Sequence, residues 1–223
     1  WWTVSKFHPL KIELEILTSI VHGNYYPIHL DGLIYWAIRN FSDVHDFAIQ
    51  EIDKVFSKTS GVYHASQALF VKSLNARITA TEVVRSTNTQ WAEYKGTFTK
   101  AKKSIKENEG VFRRLYTERL GIKANKIIFF AHGDAEKVQF YLNSLIGVGR
   151  SANAGFGEIA KVEVSKAMED YSWFYDDKLN RILPTRIFTM ARNEPIKSCR
   201  FKPNYKDGDA ADCYMPINNV IVI

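Results

Sequence analysis

From Leu10 to Leu17 the chain alternates. Ile12, Leu14 and Ile16 are separated by Lys11, Glu13 and Glu15, the period-two pattern of a strand with one buried face. Leu30, Leu33, Ile34, Ala37, Ile38 and Phe41 then recur at helical spacing, which predicts a helix over 30–41 with Asp31 in the N-cap position. Val44, Ala48, Ile52, Val55 and Phe56 predict a second helix after a cap at Asp43. Gly61 to Lys72 reads as a less regular strand through Tyr63, Ala65, Gln67, Leu69 and Val71. Lys126 to Ala131 reads as a buried strand, followed by a helix over 135–145 capped by Asp134, with Val138, Tyr141, Leu142 and Leu145 facing the core. A further strand sets Ile159, Lys161, Glu163 and Ser165 on one side and Val162 and Val164 on the other. The C-terminal third, from Tyr171-Ser-Trp-Phe-Tyr175 through Leu183-Pro-Thr-Arg186 to Val220-Ile-Val-Ile223, reads as additional strands and loops.

Setting aside the second helix and a central insertion, the order is βαββαβ. The expected fold is therefore α+β, with a ferredoxin-like (RRM-like) core, a glycine-rich loop before its last strand and a long basic insertion. Residues 1–71 and 127–223 would form the core with its C-terminal extension, and residues 72–126 the insertion.

Charge changes this picture more than composition does. The formal net charge is +6, yet Lys72 to Lys126 holds thirteen Lys/Arg against five Glu, while the rest of the chain is slightly acidic. A basic element of this kind attracts a phosphate backbone by counterion release, although a solvated surface has the same composition. Scattered Thr, Ser, Asn and Gly from Arg85 to Lys103 suit a long hairpin or excursion. Arg77, Arg85, Lys95, Lys100, Lys102, Lys103, Arg113 and Arg114 offer phosphate contacts, with Trp91, Tyr94 and Phe98 interleaved. Stacking of single-stranded bases on such aromatics contributes about 1–3 kcal/mol per base, and core packing is the competing use for them. No apolar run is long enough to span a bilayer, and the opening Trp1-Trp2-Thr3 carries no secretory pattern. Cys199 and Cys213 are expected to be reduced thiols, in keeping with a cytoplasmic protein that contacts no membrane.

The stretch Gly147-Val-Gly-Arg-Ser-Ala-Asn-Ala-Gly-Phe-Gly157 is the clearest candidate binding element. No Lys-Ser/Thr pair follows its glycines, so it is not a Walker loop. It follows a helix and precedes a strand, the reverse of a dinucleotide fingerprint. Gly147, Gly149, Gly155 and Gly157 let backbone amides approach phosphates, and Arg150, Ser151 and Asn153 add side-chain donors. The plainer alternative is a helix-to-strand connection that uses glycine for positive φ.

A ferredoxin-like domain with a glycine loop between its last helix and strand resembles the RAMP superfamily of CRISPR-associated proteins. The run Tyr26-Pro-Ile-His-Leu-Asp-Gly-Leu-Ile34 is similar to the Pro-x-His-Leu-Asp-Gly-Leu-Leu opening of the Cas-five-like backbone subunit (Csf three) of type IV CRISPR systems, with Ile34 in place of Leu. The resemblance covers the first sixty residues and 126–165. It implies a subunit that binds the 5′ handle of the CRISPR RNA and caps one end of an RNA-guided, DNA-targeting complex. Its implied partners are the repeating Cas-seven-like backbone subunit and the large subunit, with target DNA near the protospacer-adjacent motif (PAM) close by. The basic 72–126 segment would be the family's thumb.

Some relatives cut RNA without metal, using a His or Tyr base. His22 and His29 are the alternative catalytic pair here, with Tyr25, Tyr26 and His45 as further candidates. No second acid or Lys stands near them in sequence, and the six His and two Cys form no metal-ligand spacing. The expectation is therefore a non-catalytic RNA-binding subunit without metal or cofactor. The alternatives are a Cas-six-like, metal-independent repeat endoribonuclease and an RNA-binding module outside CRISPR.

Overall fold

The computed structural model describes residues 6–21, 27–72, 77–82, 117–189, 194–205, 208, 210–217 and 220–222. Four long-range strands organise it: β1 (His8–Ile16), β5 (Leu69–Lys72), β8 (Lys126–Gly133) and β9 (Ile159–Lys166). They lie in the order β9-β1-β8-β5, all neighbours antiparallel, and β15 (Val220–Val222) adds a fifth strand parallel to β5. The alternation in β1 buries Leu10, Ile12, Leu14 and Ile16. Register places Leu10, Ile12 and Leu14 opposite Ala131, Phe129 and Ile127, all buried, so both strands turn apolar side chains to one face.

That face is covered by the three helices among the described residues: α1 (Leu30–Arg39), α2 (His45–Ile52) and α3 (Ala135–Asn143). Ile34, Ala37 and Ile38 of α1, Ala48 and Ile52 of α2, and Val138 and Leu142 of α3 share one core with the strands. Asp134 caps α3 as expected, its carboxylate accepting from the amides of Glu136 and Lys137. The other two expected caps are displaced. Val44 is the N-cap of α2, with its amide donating to Ser42 Oγ, and Asp43 makes no cap. His29 is the N-cap of α1, and Asp31 lies inside the first turn, fully buried. Among the described residues no helix is long and apolar enough to cross a membrane.

The strand expected over 61–72 is interrupted. Only β4 (Val62–Tyr63), paired with β3 (Lys58–Thr59), and β5 are regular. Between them the backbone serves the start of α1: Leu30 N donates to Ser66 O, and Ala68 N to Ile28 O. The C-terminal third builds a second small core from Leu179, Ile182, Leu183, Cys199, Phe201, Cys213 and Met215 over Val62. Its strands are β10 (Phe174–Tyr175), β11 (Lys178–Leu179), β12 (Leu183–Pro184), β13 (Ile196–Cys199) and β14 (Ala211–Tyr214). Cys199 and Cys213 are both buried free thiols.

The ends of the central insertion are part of a sheet. β6 (Arg77–Glu82) and β7 (Thr117–Ile122) pair antiparallel over six residues, and β7 pairs with the two-residue β2 (Ile20–Val21).

Candidate nucleic-acid interface

The glycine loop is fixed to the segment that leaves β1. Arg150 N donates to Val21 O at 2.8 Å, and Gly157 N donates to Ser19 O at 2.9 Å. The Thr18 hydroxyl donates to Gly155 O at 2.8 Å and accepts from Glu158 N at 2.9 Å. Val148 N donates to Gly157 O, so the loop closes on itself before a short 3-10 turn at Ala152–Ala154.

Three of the four glycines are needed for close packing, Gly147 among them, since a Cβ there would stand 2.9 Å from Phe156 O. A Cβ on Gly149 (φ +96°) would stand 2.6 Å from Val21 O, and one on Gly157 (φ +62°) 2.0 Å from Val148 O. The amides of Val148, Arg150, Ala154, Gly155, Phe156 and Gly157 all donate within the protein. The loop therefore keeps six of its amides for the protein itself. It is a shaped arm whose side chains are presented, with Arg150, Asn153, Ala154 and Gly155 exposed and Ser151 half-buried.

β2 joins this arm to the base of the basic insertion. Val21 pairs with Arg150 on one side and with Gly121 of β7 on the other, and Gly121 pairs with Ile78 of β6. Arg150 and the start of β6 at Arg77 are thus parts of one strip, three strand spacings wide, about 14 Å. Sequence placed these elements more than seventy residues apart. Arg85, Trp91, Lys95, Lys100, Lys102, Lys103, Arg113 and Arg114 lie outside the described residues, as does His22.

His29 has an interior position. It is 4% exposed, stacks on Tyr205 with ring centroids 5.4 Å apart, and its Nε2 accepts from Ile182 N at 3.3 Å. Burial, reinforced by the nearby Arg181 charge, pushes its pKa down to about 3. His29 is thus enclosed between Tyr205 and the Ile182 backbone and does not face the surface.

Beside it, Arg181 and Asp31 form an ion pair of 2.6 Å with neither side chain exposed. Arg181 also donates to Phe201 O, Tyr205 Oη and Ala65 O, and Tyr205 Oη donates to Asp31 Oδ1 at 2.8 Å. The Asp31 carboxylate holds the guanidinium pKa above its ordinary value despite the opposing effect of burial. Gly32 fits under the Tyr205 ring, where a Cβ would come within 3.1 Å. The His-Leu-Asp-Gly run thus docks the C-terminal third onto α1.

A basic cleft lies farther along α1 and was not singled out from the sequence. It has a volume of about 520 Å³ and is lined by Tyr35, Arg39, His45, Arg200, Lys202 and Asn204. His45, one of the sequence's histidine candidates, shares a 2.8 Å hydrogen bond with the Tyr35 hydroxyl. Among the described residues no group of three His, Cys, Asp or Glu is arranged to hold a metal ion.

Residues 8–212 match the family model of CRISPR type IV associated protein Csf3. No curated protein matches the chain. Among solved structures, it is similar to a chain of the Type III-B Cmr-beta complex bound to cognate target RNA, determined by cryo-EM. The two are 14% identical with a TM-score of 0.36, and the likeness covers 72% of this chain and 61% of that one, less than two thirds of its length. The family match runs from the first residue of β1 into β14, and the chain belongs to the CRISPR type IV associated Csf3 family.

Proposed function

We propose that this chain binds the 5′ handle of the CRISPR RNA and caps one end of a type IV RNA-guided complex that targets DNA, without catalysis of its own. The family match over residues 8–212 is the observation that carries this reading. The strand order β9-β1-β8-β5 supports a ferredoxin-like βαββαβ core, with the 72–126 segment as its thumb. The strip from Arg150 through β2 to the base of β6 supports an RNA grip formed by loop and thumb together. The burial of His29 favours a non-catalytic role over repeat cleavage. In this reading the neighbours are the Cas-seven-like backbone subunit and the large subunit, and the handle end lies beside the PAM-side duplex.

Sequencing the RNA that co-purifies with the assembled complex tests the reading directly. A population sharing one 5′ handle is expected, and a mixed cellular population without it overturns the capping role. Within the complex, Arg150→Ala should weaken handle binding and make the slope of log K against log salt shallower by about 0.7, the value for one phosphate on a single strand. Because Arg150 is exposed, stability should change by no more than about 0.5 kcal/mol. An unchanged salt slope removes Arg150 from the grip.

A further inference from the structure

Among the described residues, the cations differ in the company they keep. Lys54, Lys58, Lys126 and Arg181 each contact a carboxylate within the fold. At the α1 cleft, by contrast, cations gather with little acidic company. Arg39 reaches only Asp43, at 3.9 Å and fully exposed. Arg200 and Lys202 form no ion pair among the described residues, and the described lining of the cleft contains no Asp or Glu. Arg200 spends one donor on Gly208 O at 2.6 Å, and Lys202 Nζ sits 5.4 Å from the Phe201 ring centroid. The Tyr35 hydroxyl, within 3.5 Å of Arg39 Nη1 and bonded to His45, completes a polar wall.

Three permanent cations around one concavity repel each other, and among the described residues only the exposed Asp43, 3.9 Å from Arg39, offsets any of that charge. An anion in the cleft reverses that balance. Two guanidinium forks and an ammonium suit the tetrahedral oxygens of a phosphate, and about 520 Å³ admits a nucleotide-sized group. We propose that this cleft seats a phosphodiester of a nucleic-acid strand, at a second contact that shares no residue with the glycine loop or the hairpin base. The proposal rests on the nucleic-acid-binding reading above and extends it to the junction between α1, α2 and the C-terminal third.

The test uses the purified full chain, short labelled single-stranded RNA, DNA of the same sequence, and inorganic phosphate, each over a salt series. Arg39, Arg200 and Lys202 are replaced together by Ala. Binding of the strand should weaken about tenfold at low salt, with a slope shallower by at least about 0.7. Loss confined to RNA identifies RNA as the source of the phosphodiester, and loss on DNA identifies DNA, with unchanged RNA binding leaving the handle reading intact. Equal binding of the variant and the parent chain to both strands overturns the cleft while leaving the handle reading intact. Direct binding of inorganic phosphate to the parent chain, lost in the variant, without binding of either strand makes the cleft a free-anion site and overturns the proposal. Absence of any binding by the parent chain overturns it as well. Lys202 is exposed, so Lys202→Glu gives the same comparison with a melting curve as control should the triple variant unfold.

Discussion

At the start of α1 an arginine is sealed from water, and at the glycine loop another stands in it. Arg181 is 0% exposed and has Asp31, Tyr205 and two backbone carbonyls around its guanidinium. Arg150 is exposed, and its backbone rather than its side chain holds it, through Val21 O. Removing a guanidinium from water costs several kcal/mol unless a carboxylate and further acceptors replace the solvent. The sealed site is therefore committed to holding two parts of the chain together, while the open one keeps its charge available to a ligand. Asp31 and Arg150 each belong to a motif of the sequence, Arg181 to none, and only the folded surroundings distinguish a latch from an available charge.

The largest test of this contrast is Asp31→Ala, which leaves the Arg181 charge buried and unpaired. A loss of about 3–5 kcal/mol is expected, a large share of a typical domain's stability, measured by denaturant unfolding. A loss below about 1 kcal/mol would mean that water reaches Arg181 and that the seam is not sealed.

Acid should act on the same seam. The folded pKa of His29, about 3, lies below the ordinary 6.5, so the unfolded chain binds more protons between those values. Stability from this group is complete above pH 6.5 and declines as pH falls toward 3, by up to about 1.4 kcal/mol per pH unit. The interval from pH 6.5 to 5.5 lies above the ordinary carboxylate range, below which Glu13, Glu51, Asp134 and Asp170 are held in the fold. Burial also depresses His132, a contribution common to parent and variant. His29→Gln should therefore flatten the slope of unfolding free energy over that interval. A slope identical to the parent's would mean that the imidazole is hydrated.

What could be read in advance was local. The alternation of β1, the stripe on α1 and the cap at Asp134 depend on neighbours within a few residues, and the structure has each of them. Asp31 was misread because a carboxylate at a helix start resembles a cap, whereas its partner Arg181 lies 150 residues away. The 61–72 strand breaks because its middle is bonded to the start of α1. The cleft was invisible for the same reason, since Arg39 and His45 meet Arg200 and Lys202 only in the folded chain. The glycine count marked a loop correctly, but not that Val21 and Val148 carbonyls press on it.

That last point separates two glycines that look alike in sequence. Gly155 has φ +86° with nothing within 4 Å of a built Cβ, so Gly155→Ala meets only left-handed backbone strain, about 1 kcal/mol. Gly157 has φ +62° and would place its Cβ 2.0 Å from Val148 O, so the Gly157→Ala loop must also move, raising the cost to roughly 2–3 kcal/mol. The displaced backbone is the one that holds Gly157 N to Ser19 O and Val148 N to Gly157 O. Gly157→Ala should then lose RNA affinity along with stability, while Gly155→Ala keeps its affinity. Equal affinity losses in the two variants would mean that the backbone around Gly155 touches the ligand directly. The loop would then resemble the open phosphate cradle first read from its composition, and its contrast with the sealed seam would rest on backbone as well as on Arg150.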